Sequence, residues 1–345
     1  MVDRLTVEVS PPLSSPTDDD VDEIVELQRL TDAELQPDDP PVTFAEVAGL
    51  LRVPLPDHRT RTWVARSAGV VVGVLTTVMD TRPANAGFVE TETLVVRPGQ
   101  RRRGVGTALF RAAVPDLVGE GAATMMWWPH EATGRRFIER LGFTHRQVER
   151  QSRLAVETVD DAQQDDWIAA PRARKAGYRL VTWSGPAPEE LVTAYAAAED
   201  AMADAPLDDV EWGHEPVTPA WIRAVEAVDA DRGVLRYAAL ALSAQGEAAG
   251  MTLIKLHPHR PQLGQQQDTA VVPAHRGYGL GRWLKAANLR IVRAAHPELR
   301  IVETYNAESN SPMLDINVAM GFRPFRHLHA YQASVSAVAA HPLIG

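Results

Sequence analysis

The alternation of apolar and polar positions predicts two successive groups of strands and helices. In the first half, it predicts strands at 5–9, 62–66, 70–78, 87–96 and 124–128, and helices at about 21–30, 107–117 and 135–140. In the second half, it predicts strands at 178–183, 237–242, 248–256, 265–272 and 300–305, and helices from about 188, at 221–228 and at 284–295. Each half is therefore expected to form an α+β domain of ordinary size.

The segment between these two groups has the composition of a linker. It is acidic and rich in glutamine, then basic, and it shows no clear hydrophobic period. A chain of 345 residues is also too long for one typical hydrophobic core. We therefore predict domains at 1–157 and 177–345, joined by a linker at 158–176.

A strand, a basic turn and a helix follow one another at 95–110. Pro98 cannot donate to a sheet, so it ends the strand. Gly104 and Gly106 lack side chains, so the backbone amides of the turn can approach a ligand closely. The helix that begins near Val105 adds unpaired amides and the positive end of its dipole. This arrangement predicts an anion site suited to a pyrophosphate.

The same pattern returns at 270–284. When Arg101 is aligned with Arg276, 175 positions later, Gly104 falls on Gly279 without a gap. The alignment also places Pro98 on Pro273 and Gly106 on Gly281. Further along, the tripeptide at 141–143 corresponds to the one at 320–322. Two ordered landmarks at nearly one offset indicate an internal duplication.

Composition narrows the function. The chain has no cysteine, so disulfides and thiolate chemistry are excluded. Its formal net charge of −10 argues against nucleic acid as the main partner and mildly favours a cationic amine substrate, although a well-solvated surface alone also accounts for it. We expect a cytoplasmic protein without a membrane partner, because the sequence lacks a signal segment and a long apolar run. The histidines, such as His257 and His259, lack further ligands in register, so no metal site is predicted.

At these residues the sequence resembles the GNAT superfamily of acetyl-CoA-dependent N-acetyltransferases. The signature of that family, Gln/Arg-x-x-Gly-x-Gly/Ala, is matched at 101–106 and at 276–281. The resemblance covers nearly the whole chain and is similar to an actinobacterial type with two tandem domains. It implies two GNAT-like domains, each with a mixed, mostly antiparallel twisted sheet flanked by helices.

The resemblance also implies which residues bind acetyl-CoA. In the first half, they are Leu94, Val95, Val96, Arg101, Arg102, Arg103, Gly104, Val105, Gly106 and Thr107. In the second half, they are Thr269, Ala270, Val271, His275, Arg276, Gly277, Tyr278, Gly279, Leu280 and Gly281, together with Asn306 and Asn310 near the following helix. At the position corresponding to Asn310, the first half has Glu131, an anion facing a polyanionic cofactor.

Candidate catalytic residues follow from the same resemblance. Glu90 lies at the position of a general base in several members, eleven residues before Arg101, and we expect Glu92 on the same strand face. The second half has Gln265 at that position, so its nearest acid is Asp268. The tyrosine that many members use as a general acid is replaced by Ile138 and Asn317, which leaves Tyr305, Tyr331 or solvent to protonate the thiolate.

The predicted function is transfer of an acetyl group from acetyl-CoA to a primary amine of a small molecule or peptide, by direct attack. The missing tyrosines leave open a non-catalytic acyl-CoA-binding protein. A mycothiol synthase-type acetyltransferase ranks below both, because the motifs of the second half do not match that type. Either half is a candidate for the chemistry. The chain is expected to be a monomer or a homodimer.

Overall fold

The computed structural model describes residues 6–345, so the first residue of the strand predicted at 5–9 lies outside it. The helices are α1 Asp18–Leu35, α2 Phe44–Arg52, α3 Val105–Gly119, α4 Ala132–Arg140, α5 Asp161–Ala169, α6 Pro171–Lys175, α7 Val192–Asp200, α8 Pro219–Asp231, α9 Leu280–Ala295, α10 Ser311–Met320 and α11 Val335–Ala339. The strands are β1 Glu8–Val9, β2 His58–Ser67, β3 Val70–Asp80, β4 Phe88–Val96, β5 Thr124–Trp127, β6 Thr144–Ala155, β7 Arg179–Ser184, β8 Leu235–Leu242, β9 Ala248–Leu256, β10 Leu263–Val271, β11 Ile301–Ala307 and β12 Arg323–Ser334.

The chain divides into two units by its internal contacts. Unit 1 comprises the described residues up to Gln147, together with Asp209–Glu215 and Leu328–Gly345. Unit 2 comprises Val148–Asp208 and Pro216–His327. Both units combine a mixed sheet with helices, in agreement with the α+β class expected from the sequence.

The two sheets have the same strand order. In unit 1, the order is β1-β2-β3-β4-β5-β12, and only the β4–β5 pair is parallel. In unit 2, the order is β7-β8-β9-β10-β11-β6, and only the β10–β11 pair is parallel. Each sheet is therefore mostly antiparallel, as expected from the resemblance.

The last strand of each sheet comes from the other half of the sequence. β6 follows α4 along the chain, but it pairs with β11 in unit 2, whereas β12 pairs with β5 in unit 1. The contact-based units therefore differ from the predicted domains at 1–157 and 177–345. The predicted linker at 158–176 forms α5 and α6 in unit 2, where Asp161 of α5 pairs with Arg293 of α9 at 2.6 Å.

Both faces of each sheet are covered by helices. In unit 1, α3 packs on one face through Leu109 and Phe110, which are fully buried beside Trp63 of β2. Helix α1 packs on the opposite face, where Ile24 and Val25 contact the side chains of β2 and β3. Helix α1 begins directly after Thr17, because Thr17 and Asp20 form a reciprocal capping box.

Unit 2 repeats this arrangement. Helix α9 packs on one face of its sheet, where Leu289 and Val292 contact Val302 of β11. Helices α7 and α8 pack on the other face, and Tyr195 of α7 is fully buried there beside Leu240 of β8. Among residues 6–345, no helix has the length and apolar character needed to cross a bilayer.

Candidate active sites

Each predicted turn presents open backbone amides at the start of a helix. Gly104 has a φ of 90° and precedes α3, and Gly279 has a φ of 81° and precedes α9. Neither residue caps its helix with a side chain, so the first amides of each helix are available to a ligand. A Cβ added at either glycine would meet no atom within 4 Å, so both turns open into free space.

The aligned arginines brace these turns. Arg101 Nε donates to the carbonyl of Val96 at 3.2 Å, and Arg276 Nε donates to the carbonyl of Val271 at 3.0 Å. Each guanidinium also pairs with an acid from the opposite sheet face, Glu34 at 2.7 Å for Arg101 and Asp204 at 2.8 Å for Arg276. Contact with phosphates stays a prediction for both residues. The bracing role was not predicted, since it depends on contacts distant in sequence.

The parallel strands of each unit separate beside these turns. Pairing of β4 with β5 ends at Thr91, and pairing of β10 with β11 ends at Gln265. Beyond these points, each segment pairs along one edge only. Residues 94–96 pair with β3, and residues 269–271 pair with β9. The other edge therefore offers backbone groups to an extended ligand, as the resemblance implies for the pantetheine arm.

A bulge lies next to each separation. In β4, Thr91 and Thr93 face adjacent residues of β3, so Glu92 is the inserted residue. This bulge interrupts the regular alternation on which the expected common face of Glu90 and Glu92 depended. In β10, Gln267 and Asp268 together face the single residue Leu253 of β9, which gives one extra residue at the corresponding place. A bulge beside a site turns its side chains toward a ligand.

In unit 1, a segment distant in sequence covers the sheet face that carries Phe88 and Glu90. We call residues 209–215 the strap. Its Trp212 contacts the ring of Phe88 edge-on, with centroids 4.7 Å apart, and packs near Met126 and Ala330. The acceptor side of this unit is therefore filled by an apolar plug from the chain itself.

Hydrogen bonds hold the strap at both ends. Gly213 N donates to Asn85 Oδ1 at 2.8 Å, and Asn85 Nδ2 donates to the carbonyl of Gly213 at 2.9 Å. Glu211 N donates to Gln332 Oε1 at 3.0 Å, and Gln332 Nε2 donates back to the carbonyl of Glu211 at 3.2 Å. Two reciprocal pairs of this kind make the strap a docked element of unit 1.

The corresponding face of unit 2 is polar and charged. Glu303 of β11 accepts hydrogen bonds from Gln151 at 2.8 Å and from the hydroxyl of Tyr305 at 3.2 Å. Lys255 of β9 pairs with Asp229 of α8 at 2.8 Å. Side chains that can bind a polar acceptor therefore lie on the face whose counterpart in unit 1 is plugged.

Asp268 and Glu199 bring two carboxyl groups to this face. Asp268 is exposed to water, although protein surrounds it on most sides, as expected of a residue that lines a cleft. Burial raises the pKa of Asp268, and the charge of Lys255 offsets this in part. Burial, together with the charge of Asp268, raises the pKa of Glu199 to about 7.

The comparisons with known proteins agree with this geometry. The model of the GNAT acetyltransferase family matches residues 22–143. A mycothiol acetyltransferase from Saccharomonospora viridis is 30% identical over 239 residues, which cover 66% of this chain and 69% of that protein. This chain belongs to the GNAT family of acetyltransferases. A mycothiol acetyltransferase from Mycobacterium sp. (strain MCS) is 30% identical over 68% of this GNAT chain and 70% of its own.

Solved structures extend the similarity to the whole GNAT chain. A tandem GNAT protein from the clavulanic acid biosynthesis pathway matches with a TM-score of 0.78 and 29% identity, over 96% of this chain and 99% of that one. A GCN5-related N-acetyltransferase from Sphaerobacter thermophilus matches with a TM-score of 0.69 over 96% of both chains, and at 16% identity it shows the fold alone. The predicted family, tandem fold and N-acetyltransferase class are thus confirmed.

Several residues that the GNAT resemblance assigned to the cofactor have structural partners. Asn310 Oδ1 caps α10 by accepting from Met313 N at 3.4 Å, and Asn306 Oδ1 accepts from Asn317 Nδ2 at 2.7 Å. The ring of His275 is held by the hydroxyl of Tyr178 at 2.9 Å. Their contact with acetyl-CoA stays a prediction for this GNAT protein.

The proton donor of this GNAT protein also stays a prediction. Burial and the charge of Glu303 raise the pKa of Tyr305 far above its usual range, so its phenol is a weak proton donor. In unit 1, Tyr331 donates to Glu139 at 2.8 Å, and its pKa is also raised by burial. Protonation of the thiolate by solvent therefore agrees best with both environments.

Within residues 6–345, no group of three or more metal-ligating side chains is found.

Proposed function

We propose that this protein transfers an acetyl group from acetyl-CoA to a primary amine by direct attack, and that unit 2 carries out the transfer. The observation that supports this most strongly is the contrast between the two acceptor faces. In unit 1, Trp212 of the strap fills the face, whereas in unit 2 the water-accessible Asp268 lies beside the point where β10 and β11 separate.

Both turns have the features needed to bind the acyl donor. The open amides after Gly104 and Gly279 suit the diphosphate, and the single-edged segments 94–96 and 269–271 suit the amides of the pantetheine arm. The bound thioester would supply the activated acetyl group. Backbone amides near the bulge of β10 would then stabilise the negative charge that develops on its oxygen.

The plugged face of unit 1 favours a second role for that unit. Its turn is as open as that of unit 2, but the strap covers the side of Phe88, where an amine would approach. We infer that unit 1 binds acyl-CoA without transferring the acyl group. The alternative of a non-catalytic acyl-CoA-binding protein therefore applies to unit 1 alone.

The curated relatives favour a particular acceptor as a second candidate. Two proteins named mycothiol acetyltransferase align with about two thirds of this chain. We therefore place a mycothiol-type acceptor second, above the position that the sequence motifs alone gave it. We further propose a cytoplasmic monomer or homodimer with no nucleic-acid or membrane partner, which the net charge of −10 supports.

Titration with CoA and an assay with a panel of amines test this proposal. Gly104→Glu and Gly279→Glu each place a carboxylate in one turn, so each variant should lose one of two CoA sites. Only Gly279→Glu should abolish acetyl transfer. Gly121→Glu and Gly233→Glu are the matched controls, because both glycines have positive φ and open surroundings away from the turns.

The outcome can contradict the assignment in two ways. If Gly104→Glu abolishes transfer and Gly279→Glu does not, unit 1 is the catalytic unit. If neither variant weakens CoA binding while both controls behave as wild type, the assignment of both turns is wrong.

A further inference from the structure

We propose that Asp268 binds the ammonium group of the acceptor and removes its proton, with Glu199 as the positioning residue behind it. This inference rests on the proposed function, because it names the base and the charge of the substrate at the same site. Asp268 is the nearest acid to the expected position of the base, whereas no sequence pattern singles out Glu199.

The position of Asp268 is suited to this contact. It lies in the bulge of β10, directly before the segment 269–271 proposed to bind the pantetheine arm. It is exposed to water, so an acceptor can reach it from the cleft. Helix α7 and the following turn at 201–204 pack against β10, and Glu199 belongs to the last turn of α7. The C-terminal end of a helix dipole disfavours a carboxylate there and favours a bound cation.

The fixed charges around the pair leave negative charge in excess. Lys255 and Arg236, from the neighbouring strands, both pair with Asp229 of α8. When all three are ionised, the carboxylates of Asp229, Asp268 and Glu199 carry three negative charges against the two positive charges of these cations, an excess of one. One ammonium group would balance that excess.

Two further acids on the neighbouring elements are already neutralised. On α8, Glu226 pairs with Arg223 at 2.7 Å, and in the turn after α7, Asp204 pairs with Arg276 at 2.8 Å. Neither pair offers a cation to Glu199. A positive ligand is therefore the partner that this part of the site lacks.

The hydroxyl of Tyr195 belongs to the same group of charges. Tyr195 of α7 is fully buried against Trp183. Its hydroxyl forms a hydrogen bond with Glu199, and the charges of Glu199, Arg236 and Asp268 act on it. This hydrogen bond orients the carboxyl of Glu199 within the group.

The ionisation of the pair agrees with a role as base. With the pKa of Glu199 raised to about 7 and that of Asp268 also raised, the two carboxyls titrate as a coupled pair. A carboxylate with a raised pKa accepts a proton more readily than a free one, which suits a general base.

The reaction then balances as follows. A proton passes from the ammonium nitrogen to the carboxylate of Asp268, which leaves a neutral amine. The nitrogen forms a bond to the acetyl carbon, and the bond between that carbon and the sulfur of CoA breaks. The thiolate takes up the second proton lost by the nitrogen, and Asp268 returns the first proton to water.

The test combines Asp268→Asn and Glu199→Gln with a full pH profile. Loss of the base should lower kcat of Asp268→Asn by about 10²–10⁴-fold. Glu199→Gln removes a like charge, so the pKa of Asp268 should fall and the acidic limb of kcat/KM should move to lower pH. Glu190→Gln is the matched control, because Glu190 is exposed close to the start of α7.

The readouts separate this inference from the proposed function. CoA affinity should be unchanged in both variants, since the turn at Gly279 is untouched. If Asp268→Asn also loses CoA binding, the variant Asp268→Glu, which keeps the carboxylate, decides. Restored activity in Asp268→Glu would support the inference, and absent activity would contradict it. A kcat of Asp268→Asn within threefold of wild type, or an unmoved pH limb in Glu199→Gln, would overturn the inference. If wild type acetylates no amine in the panel, the proposed function itself fails.

Discussion

Lys285 shows how this protein accommodates an ionisable side chain in its core. Lys285 lies in α9 and is 1% exposed, yet it forms no ion pair within residues 6–345. Its ammonium lies 5.4 Å from the centre of the Phe322 ring, which offers a weak cation–π contact. Burial lowers the pKa of Lys285 to about 7, so near neutral pH the side chain is partly uncharged.

Replacing Lys285 should therefore stabilise the protein in acid. In Lys285→Met, the free energy of unfolding at pH 6 should rise by on the order of 3 kcal/mol, because no buried charge needs desolvation. The gain should be full below pH 7 and should shrink towards pH 10.5, as the lysine of the unfolded wild type also loses its proton. Urea unfolding at several pH values measures this, with the exposed Lys175→Met as control. A gain independent of pH would contradict the lowered pKa.

The residues of the candidate site differ in how far sequence predicted them. Gly104 and Gly279 could be recognised, because a glycine before a helix has a local consequence that the pattern records. Glu199 could not be singled out, since its importance depends on Asp268, which lies 69 positions away along the chain. Polar residues with only long-range partners look like ordinary surface residues in sequence.

At the scale of elements, the strap is the largest departure from the duplicated plan. The sequence of residues 209–215 predicts only a polar loop. In the structure, Gly213 fits so closely against the sheet that an added Cβ would lie 2.6 Å from the carbonyl oxygen of Ala84. Docking of this loop on unit 1 could not be predicted, because no local pattern encodes its partner.

The strap should be sensitive to small changes. We expect Gly213→Ala to destabilise unit 1 by about 1–3 kcal/mol, since the methyl group would displace the strap and break its hydrogen bonds to Asn85. Hydrogen exchange of β4 and β5 would report the loss. Gly119→Ala is the control, because that glycine has open space and an ordinary φ. Unchanged protection in Gly213→Ala would show that the strap is not docked.

At the scale of the whole molecule, the two halves depend on each other for their sheets. The strand order and the parallel pair of each unit could be expected from the duplication. The source of the final strand could not, because β6 and β12 have equivalent positions in sequence and either could complete either sheet. The core of unit 1 also contains Val335, Val338 and Ile344, from the last residues of the chain.

Shortening the chain at its end should therefore disturb unit 1. Removal of residues 335–345 exposes the face of α3 that these side chains cover, and also the contact of Arg111 with the carbonyl of Leu343. We expect hydrogen-exchange protection to fall in α3 and to persist in α9. The double variant Val335→Ala/Val338→Ala should cost about 2–4 kcal/mol, whereas Val118→Ala, on the exposed side of α3, should cost little. Equal loss of protection in both helices would contradict this dependence.

The origin of β12 has a consequence for biosynthesis. Domains commonly fold in order as they leave the ribosome. Here the edge of β5 has no permanent neighbour until translation has passed residue 334, although β4 and β5 were made some two hundred codons earlier. The sheet of the nascent first half therefore keeps an unpaired edge until β12 is synthesised. Slow elongation through the second half would prolong the exposure of this edge to chaperones and to incorrect strand partners.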